Sequence, residues 1–146
     1  MKVIRDRQGT VDVNEFLARP LFAHLATGSP DGPRESPVWF LWENGAIWIV
    51  GSRRHDSFPS RVEDEPRCAL GVVDFERSVG RVQHVGIRGR ASVERFEPTR
   101  AKRLFARYLG SDVSAWPERF RSTLADGDNV FVRIEPETVV ARDVSY

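Results

Sequence analysis

Two periodicities divide the chain. Residues 22–94 carry short apolar runs that alternate with polar positions, from Pro98 to Leu124 the apolar residues recur at helical spacing, and strand-like runs return after residue 129. Before either regime, Val13, Phe16 and Leu17 sit one helical turn apart. Asp12 or Asn14 is available as a cap and Pro20 as a stop, which predicts a short helix over residues 11–19. Residues 22–27, 34–42 and 46–50 then read as strands. Pro30-Asp31-Gly32 and Glu43-Asn44-Gly45 separate them, and Asn and Gly accept the positive φ that tight hairpin turns require, so the three form a β-meander.

After the meander, residues 57–65 turn polar and helix-compatible, with Ser57 or Asp56 as cap and Pro66 as terminator. Residues 67–74, dense in Cys, Ala, Leu and Val, suit a strand buried on both faces, and residues 75–81 suit a loop. Gln83, Val85, Ile87, Ala91 and Val93 alternate with His84, Arg88, Arg90, Ser92 and Glu94. This predicts one long strand that turns His84 to the same side as Arg88.

Ala101, Leu104, Phe105, Tyr108 and Leu109 define the main helix, with Pro98 in its first turn and Gly110 at its C-terminal cap. Trp116, Phe120 and Leu124, spaced by four, predict a shorter second helix that Asp126-Gly127-Asp128-Asn129 breaks. Pro117 fits only its first turn. Residues 130–134 and 138–142 read as two closing strands around a turn at Glu135-Pro136-Glu137. Six or seven strands with two or three segregated helices predict an α+β domain on a closed or nearly closed antiparallel barrel, since closure removes exposed strand edges.

Composition narrows the picture. A chain of 146 residues with 40% hydrophobic content supports one domain, residues 1–146, with a substantial core. A net charge of +1 supplies no bulk field for nucleic acid, although all 22 basic residues except Lys2 and Lys102 are arginine. No apolar run is long enough to span a bilayer and no signal-peptide core follows Met1, so the expectation is a cytoplasmic protein without a membrane partner. Cys68 is the single cysteine, which excludes an internal disulfide and reads as a buried structural thiol. His24, His55 and His84 lie far apart and offer no metal-ligand spacing, so no metal is expected.

Candidate chemistry gathers just beyond the third strand. Ser52, Arg53, Arg54, His55, Ser57 and Arg61 bring hydroxyl and guanidinium donors to one loop, a composition suited to holding a phosphate. The same segment also reads as a solvated loop whose arginines pair with Asp56, Glu63, Asp64 and Glu65. Trp39, Trp42, Trp48 and Trp116 offer either flat walls for a planar ring or ordinary core. No G-x-S-x-G elbow, H-E-x-x-H, Walker loop or G-x-G-x-x-G is present, so no catalytic residue is assigned.

In order and spacing, several segments resemble the pyridoxamine 5′-phosphate oxidase-like, FMN-binding split-barrel superfamily. They are Leu25-Ala26-Thr27, Pro30-Asp31-Gly32, Ser36-Pro37-Val38-Trp39-Phe40, Glu65-Pro66-Arg67 and Gly86-Ile87-Arg88-Gly89-Arg90-Ala91. The match covers residues 16–93 and continues more loosely to the C-terminus. The resemblance implies a six-stranded antiparallel split β-barrel with peripheral helices. It also implies a homodimer with flavin clefts between subunits. By the same resemblance Ser36, Val38 and Trp39 run along the isoalloxazine, and Ser52 lies near the ribityl chain or phosphate. Ser57 and Phe58 occupy the place of a phosphate-gripping basic pair. His84 would reach the flavin edge, and Trp116 the partner's cleft.

Phe58 departs from that pattern, because a phenyl ring cannot neutralise a phosphate dianion. Either Arg53, Arg54 or Arg61 then supplies the charge from a nearby position, which is the favoured reading, or FMN binds weakly or not at all. The implied function is a flavin-dependent oxidoreductase that moves a hydride between FMN, or a deazaflavin, and a small-molecule substrate. A non-catalytic flavin-, deazaflavin- or haem-binding split barrel is the alternative.

Overall fold

The computed structural model describes residues 2–7 and 11–146. Eight strands make one curled sheet: β1 (Lys2–Arg7), β2 (Ala23–Thr27), β3 (Arg34–Val38), β4 (Leu41–Glu43), β5 (Ala46–Ser52), β6 (Arg67–Glu76), β7 (Arg81–Arg95) and β8 (Asn129–Asp143). The helices are α1 (Val13–Leu17), α2 (Phe58–Asp64), α3 (Pro98–Leu109) and α4 (Glu118–Thr123). No helix among the described residues is long and apolar enough to cross a membrane.

Seven strands run antiparallel in the order β3-β2-β6-β7-β8-β5-β4, and β1 adds a parallel pairing with β8. The antiparallel split barrel is as expected, and seven antiparallel strands fall within the six or seven read from the pattern. Two details differ: β1 was not expected, and the single strand expected over residues 34–42 divides in two. β3 and β4 lie at opposite ends of the strand order although only Trp39 and Phe40 separate them. The chain thus joins the two edges of the curl covalently while leaving them without a shared ladder, which is what makes the barrel split. Asn44 and Gly45, at φ 54° and 71°, close the β4–β5 hairpin in the left-handed conformation the Asn-Gly pair predicts.

The turn expected at Glu135-Pro136-Glu137 is absent. β8 runs unbroken, and its outer neighbour changes along its length: residues 129–134 pair with β5 and residues 138–142 with β1. Pro136 falls between the two ladders, where its missing N–H costs no hydrogen bond. Along β7, Arg88 faces Thr138 and Gly89 faces Pro136, so Glu137 is the extra residue of a bulge. Gly89 is required there, because a Cβ would come within 2.1 Å of the Glu135 carbonyl oxygen.

Leu25, Phe40, Ile49, Leu70, Ile87 and Ile134 fill the inside of the curl, plugged by Phe16 and Leu17 of α1 and by Phe58 and Val62 of α2. Each such side chain removed from water contributes about 1.5–3 kcal/mol. α3 covers the outer side of β5 with Ala101, Leu104 and Phe105 against Trp48 and Phe131. Arg100 locks that contact by stacking 3.6 Å over the Trp48 ring and donating to Glu43. In consequence β5 is the strand buried on both faces. β6, expected to be so, alternates instead and leaves Val73 51% exposed. Cys68 is buried, donates to the Gly89 carbonyl, and burial together with nearby Glu137 pushes its thiol up to about 11.

Candidate functional site

A cleft opens where β3, the end of β5, the start of α2 and α4 converge. One part, about 300 Å³, is mainly apolar, with Val38, Trp39, Val50, Leu104 and Phe120 in its walls. An adjoining part of about 400 Å³ is polar and lined by Arg34, Ser36, His55, Ser57 and Arg61. Pro37, Asp56 and Phe58 border both, so the two are continuous.

Arg61 occupies the polar end. Its Nε donates to Thr27 Oγ1 at 2.8 Å and a terminal nitrogen donates to Ser36 Oγ at 3.4 Å. It meets hydroxyls alone, and no carboxylate pairs with it among the described residues. Arg53 differs, because it is held bidentately by Glu63 at 2.5 and 2.9 Å. That pairing raises the Arg53 pKa and lowers the Glu63 pKa. Arg54 lies 3.4 Å from Asp128. For these two residues the structure gives the solvated, acid-paired loop, and Arg61 is left as the unpaired cation of the three.

Ser52 ties the loop together. Its Oγ accepts from the backbone N–H groups of Arg54 and His55 at 3.2 Å, and its own N–H donates to Asp56 at 2.8 Å. Ser57 precedes α2, and its hydroxyl makes no capping bond to the helix. Phe58 is buried in the inner core. Gly51 gives it room, since a Cβ there would lie 3.1 Å from its ring and 2.9 Å from Pro59. Of the two positions where a basic pair was looked for, Phe58 is a core plug and Ser57 borders the polar part of the cleft.

The remaining expected site residues separate. Trp39 borders the cleft, yet it stacks on Tyr108 at 4.4 Å and on Phe120 at 5.1 Å, both nearly parallel, so its faces are engaged within its own chain. Val38 and Ser36 line the cleft from β3. Trp116 is 2% exposed, donates to the Gly110 carbonyl and packs edge-on against Phe105; the structure does not bring it to the cleft. His84 lies elsewhere too, in a shallow depression on the outer face of the sheet beside Gly71, Gly86 and Arg142. Burial and the Arg142 charge hold its imidazole below the usual range.

Sequence reasoning missed Asp56, Asn129, Phe120 and Arg119 as cleft residues, and Thr27 as the buried hydroxyl behind Arg61. Thr27 carried a signal, being a hydroxyl at an inward position of an alternating strand, and it is 3% exposed. Asn129, also buried, donates to the Thr123 carbonyl at 2.7 Å and so anchors the end of α4 against the cleft. Among the described residues no cluster of His, Cys, Asp or Glu has the makings of a metal site.

Comparison with known proteins places this geometry among relatives. A family model described as pyridoxamine 5′-phosphate oxidase matches residues 10–143. Among solved structures, an F420 reductase is 22% identical with a TM-score of 0.65, covering 86% of this chain and 94% of its own. A FAD-binding protein from Mesorhizobium loti is 15% identical with a TM-score of 0.67, covering 92% and 96%. The haem storage protein HutZ from Vibrio cholerae is 18% identical with a TM-score of 0.64, covering 94% and 96%. At such identities the likeness is one of fold. No curated protein matches the sequence.

Proposed function

Because the chain belongs to the pyridoxamine 5′-phosphate oxidase family, we propose that it is a flavin-dependent oxidoreductase that holds FMN, or a deazaflavin, and acts on a small molecule. The observation that carries this reading is Arg61, a cation without an acid partner at the polar end of a cleft whose other end is apolar. A phosphate joined to a flat ring system has the same polarity along its length. Arg61, Ser36 and Ser57 would hold the phosphate through charge-assisted hydrogen bonds. Val38, Val50 and Phe120 would border the ring system.

When bound, the flavin supplies hydride transfer. The chain's part is to bind, orient and keep water out. Thr27 fixes the direction of the Arg61 guanidinium. Asp56 and Glu35 also line this polar part, so the phosphate is expected to sit against Arg61 and away from the two carboxylates. No side chain serves as a nucleophile in this chemistry.

The reading includes a homodimer. Val73 and Phe75, 51% and 60% exposed, stand on the outer side of β6, and His84 lies opposite Val73 on β7. A second copy covering this face buries those side chains and brings His84 to the interface.

The test is titration of the purified protein with FMN, riboflavin and F420, followed by flavin fluorescence and absorbance. FMN should bind more tightly than riboflavin, and Arg61→Ala should remove that preference. Arg53→Ala combined with Arg54→Ala should leave it in place. Failure to bind either cofactor, or a Soret band from a co-purifying haem, would defeat the proposal.

A further inference from the structure

The cleft has a third arm whose outer end, at Phe22 and Arg119, the cofactor reading does not use. About 610 Å³ in volume, it shares Pro37, Val38, Trp39, Asp56, Phe120 and Thr123 with the main cleft and extends outward to Phe22 and Arg119. Phe22, Trp39 and Phe120 give its walls three aromatic rings. Phe22 is 56% exposed, and Phe120 continues the Trp39 stack.

Arg119 supplies its charge. The two arginines of α4 differ in their engagement: Arg121 is tied to Glu118 at 2.5 Å and to the Ser114 carbonyl at 3.0 Å. Arg119 forms no ion pair or side-chain hydrogen bond among the described residues, and its guanidinium rests 4.7 Å from the centre of the Phe120 ring. A guanidinium placed over an aromatic ring can still offer N–H groups to a carboxylate or similar anion. Asp56, the acid on the arm's wall, accepts from the Ser52 N–H and repels an anion placed beside it. An anionic group therefore has one favourable position in the arm, at Arg119.

We propose that this arm is the substrate side of the site and admits a flat, apolar molecule carrying one anionic group, with Arg119 reading the anion and Phe22 and Phe120 the apolar body. It rests on the proposed function only in that the arm opens into the cofactor cleft.

Isothermal titration of the full chain with 2-naphthoate and with neutral 2-naphthamide tests it. The carboxylate should bind about fivefold more tightly, as expected for an exposed charge pair. Added salt should erode that preference. Arg119→Gln should bind the two probes equally while keeping the wild-type affinity for FMN. A preference that survives Arg119→Gln, or no binding of either probe to the wild type, would overturn the inference. Probe discrimination in a protein that fails to bind FMN would leave it standing and remove the flavin reading instead.

Discussion

Arg61 of α2 donates its Nε proton to Thr27 Oγ1 of β2 at 2.8 Å, so a cation that has no acid partner among the described residues is aimed by a hydroxyl that is itself buried. Thr27→Val keeps the shape and deletes the acceptor. One hydrogen bond of this kind is worth about 1 kcal/mol, so FMN affinity should fall about fivefold while riboflavin affinity stays constant. Equal loss for both ligands, read by fluorescence quenching, would assign Thr27 to general packing.

Arg107 should prove structural. From the last turn of α3 its guanidinium donates to the carbonyls of Leu17 at 3.0 Å, Arg19 at 2.5 Å and Phe40. It thereby fastens α1 and the short link between β3 and β4 to one helix. Arg107→Met removes three hydrogen bonds, although the Arg19 carbonyl keeps the Leu21 N–H and the Phe40 carbonyl keeps the Tyr108 hydroxyl, and should cost about 2 kcal/mol in urea denaturation. Arg107→Lys should recover part of that loss.

Stability should depend on acid through Glu65. Its hydrogen bonds from the Arg67 side chain and backbone lower its pKa from 4.5 to about 2. A carboxylate depressed in the folded state adds stability at pH above its unfolded value, and that stability drains away as the pH falls from 4.5 towards 2. The wild type should therefore exceed Glu65→Gln in stability at pH 6, and the gap should close by pH 2. A gap that is constant across the range would contradict the assignment.

The bulge between β7 and β8 makes a sharper structural test. Gly89→Ala places a methyl group 2.1 Å from the Glu135 carbonyl oxygen, and the backbone must shift to admit it. A loss of about 2–3 kcal/mol is expected on thermal or urea unfolding. Gly127→Ala, with nothing near its would-be Cβ, should stay within about 0.5 kcal/mol of wild type.

If a second copy covers the outer face, Phe75→Glu puts a charge into the contact. Sedimentation should then show a dimer for the wild type and a folded monomer for the variant, with an unchanged circular dichroism spectrum. Identical masses for the two proteins would remove the homodimer from the proposal.

Much of the fold was legible along the chain because it is written in local terms. The 3.6-residue spacing of Ala101, Leu104 and Phe105, the Asn44-Gly45 turn and the alternation along β7 each act over a few residues, and all appear as expected. Where local chemistry was overruled, a distant partner decided. Pro136 signalled a turn, yet β7 on one side and β5 and β1 in succession on the other hold β8 extended through it. β6 looked buried throughout because its residues are small and apolar, whereas the second layer, α3, lies over β5.

The candidate site divides in the same way. By itself the sequence determined that a cluster of hydroxyls and arginines follows β5 and that a phenylalanine stands where a cation was sought, since residue identity and spacing suffice for both. Which arginine is unpaired was decided only by the tertiary structure: Glu63 and Asp128 reach Arg53 and Arg54, while Thr27, 34 residues away, receives Arg61. The same is true of Trp39, whose stacking partners come from α3 and α4. Charge pairing and ring stacking depend on separations of a few ångströms between groups far apart along the chain, and those separations exist only once the sheet has curled.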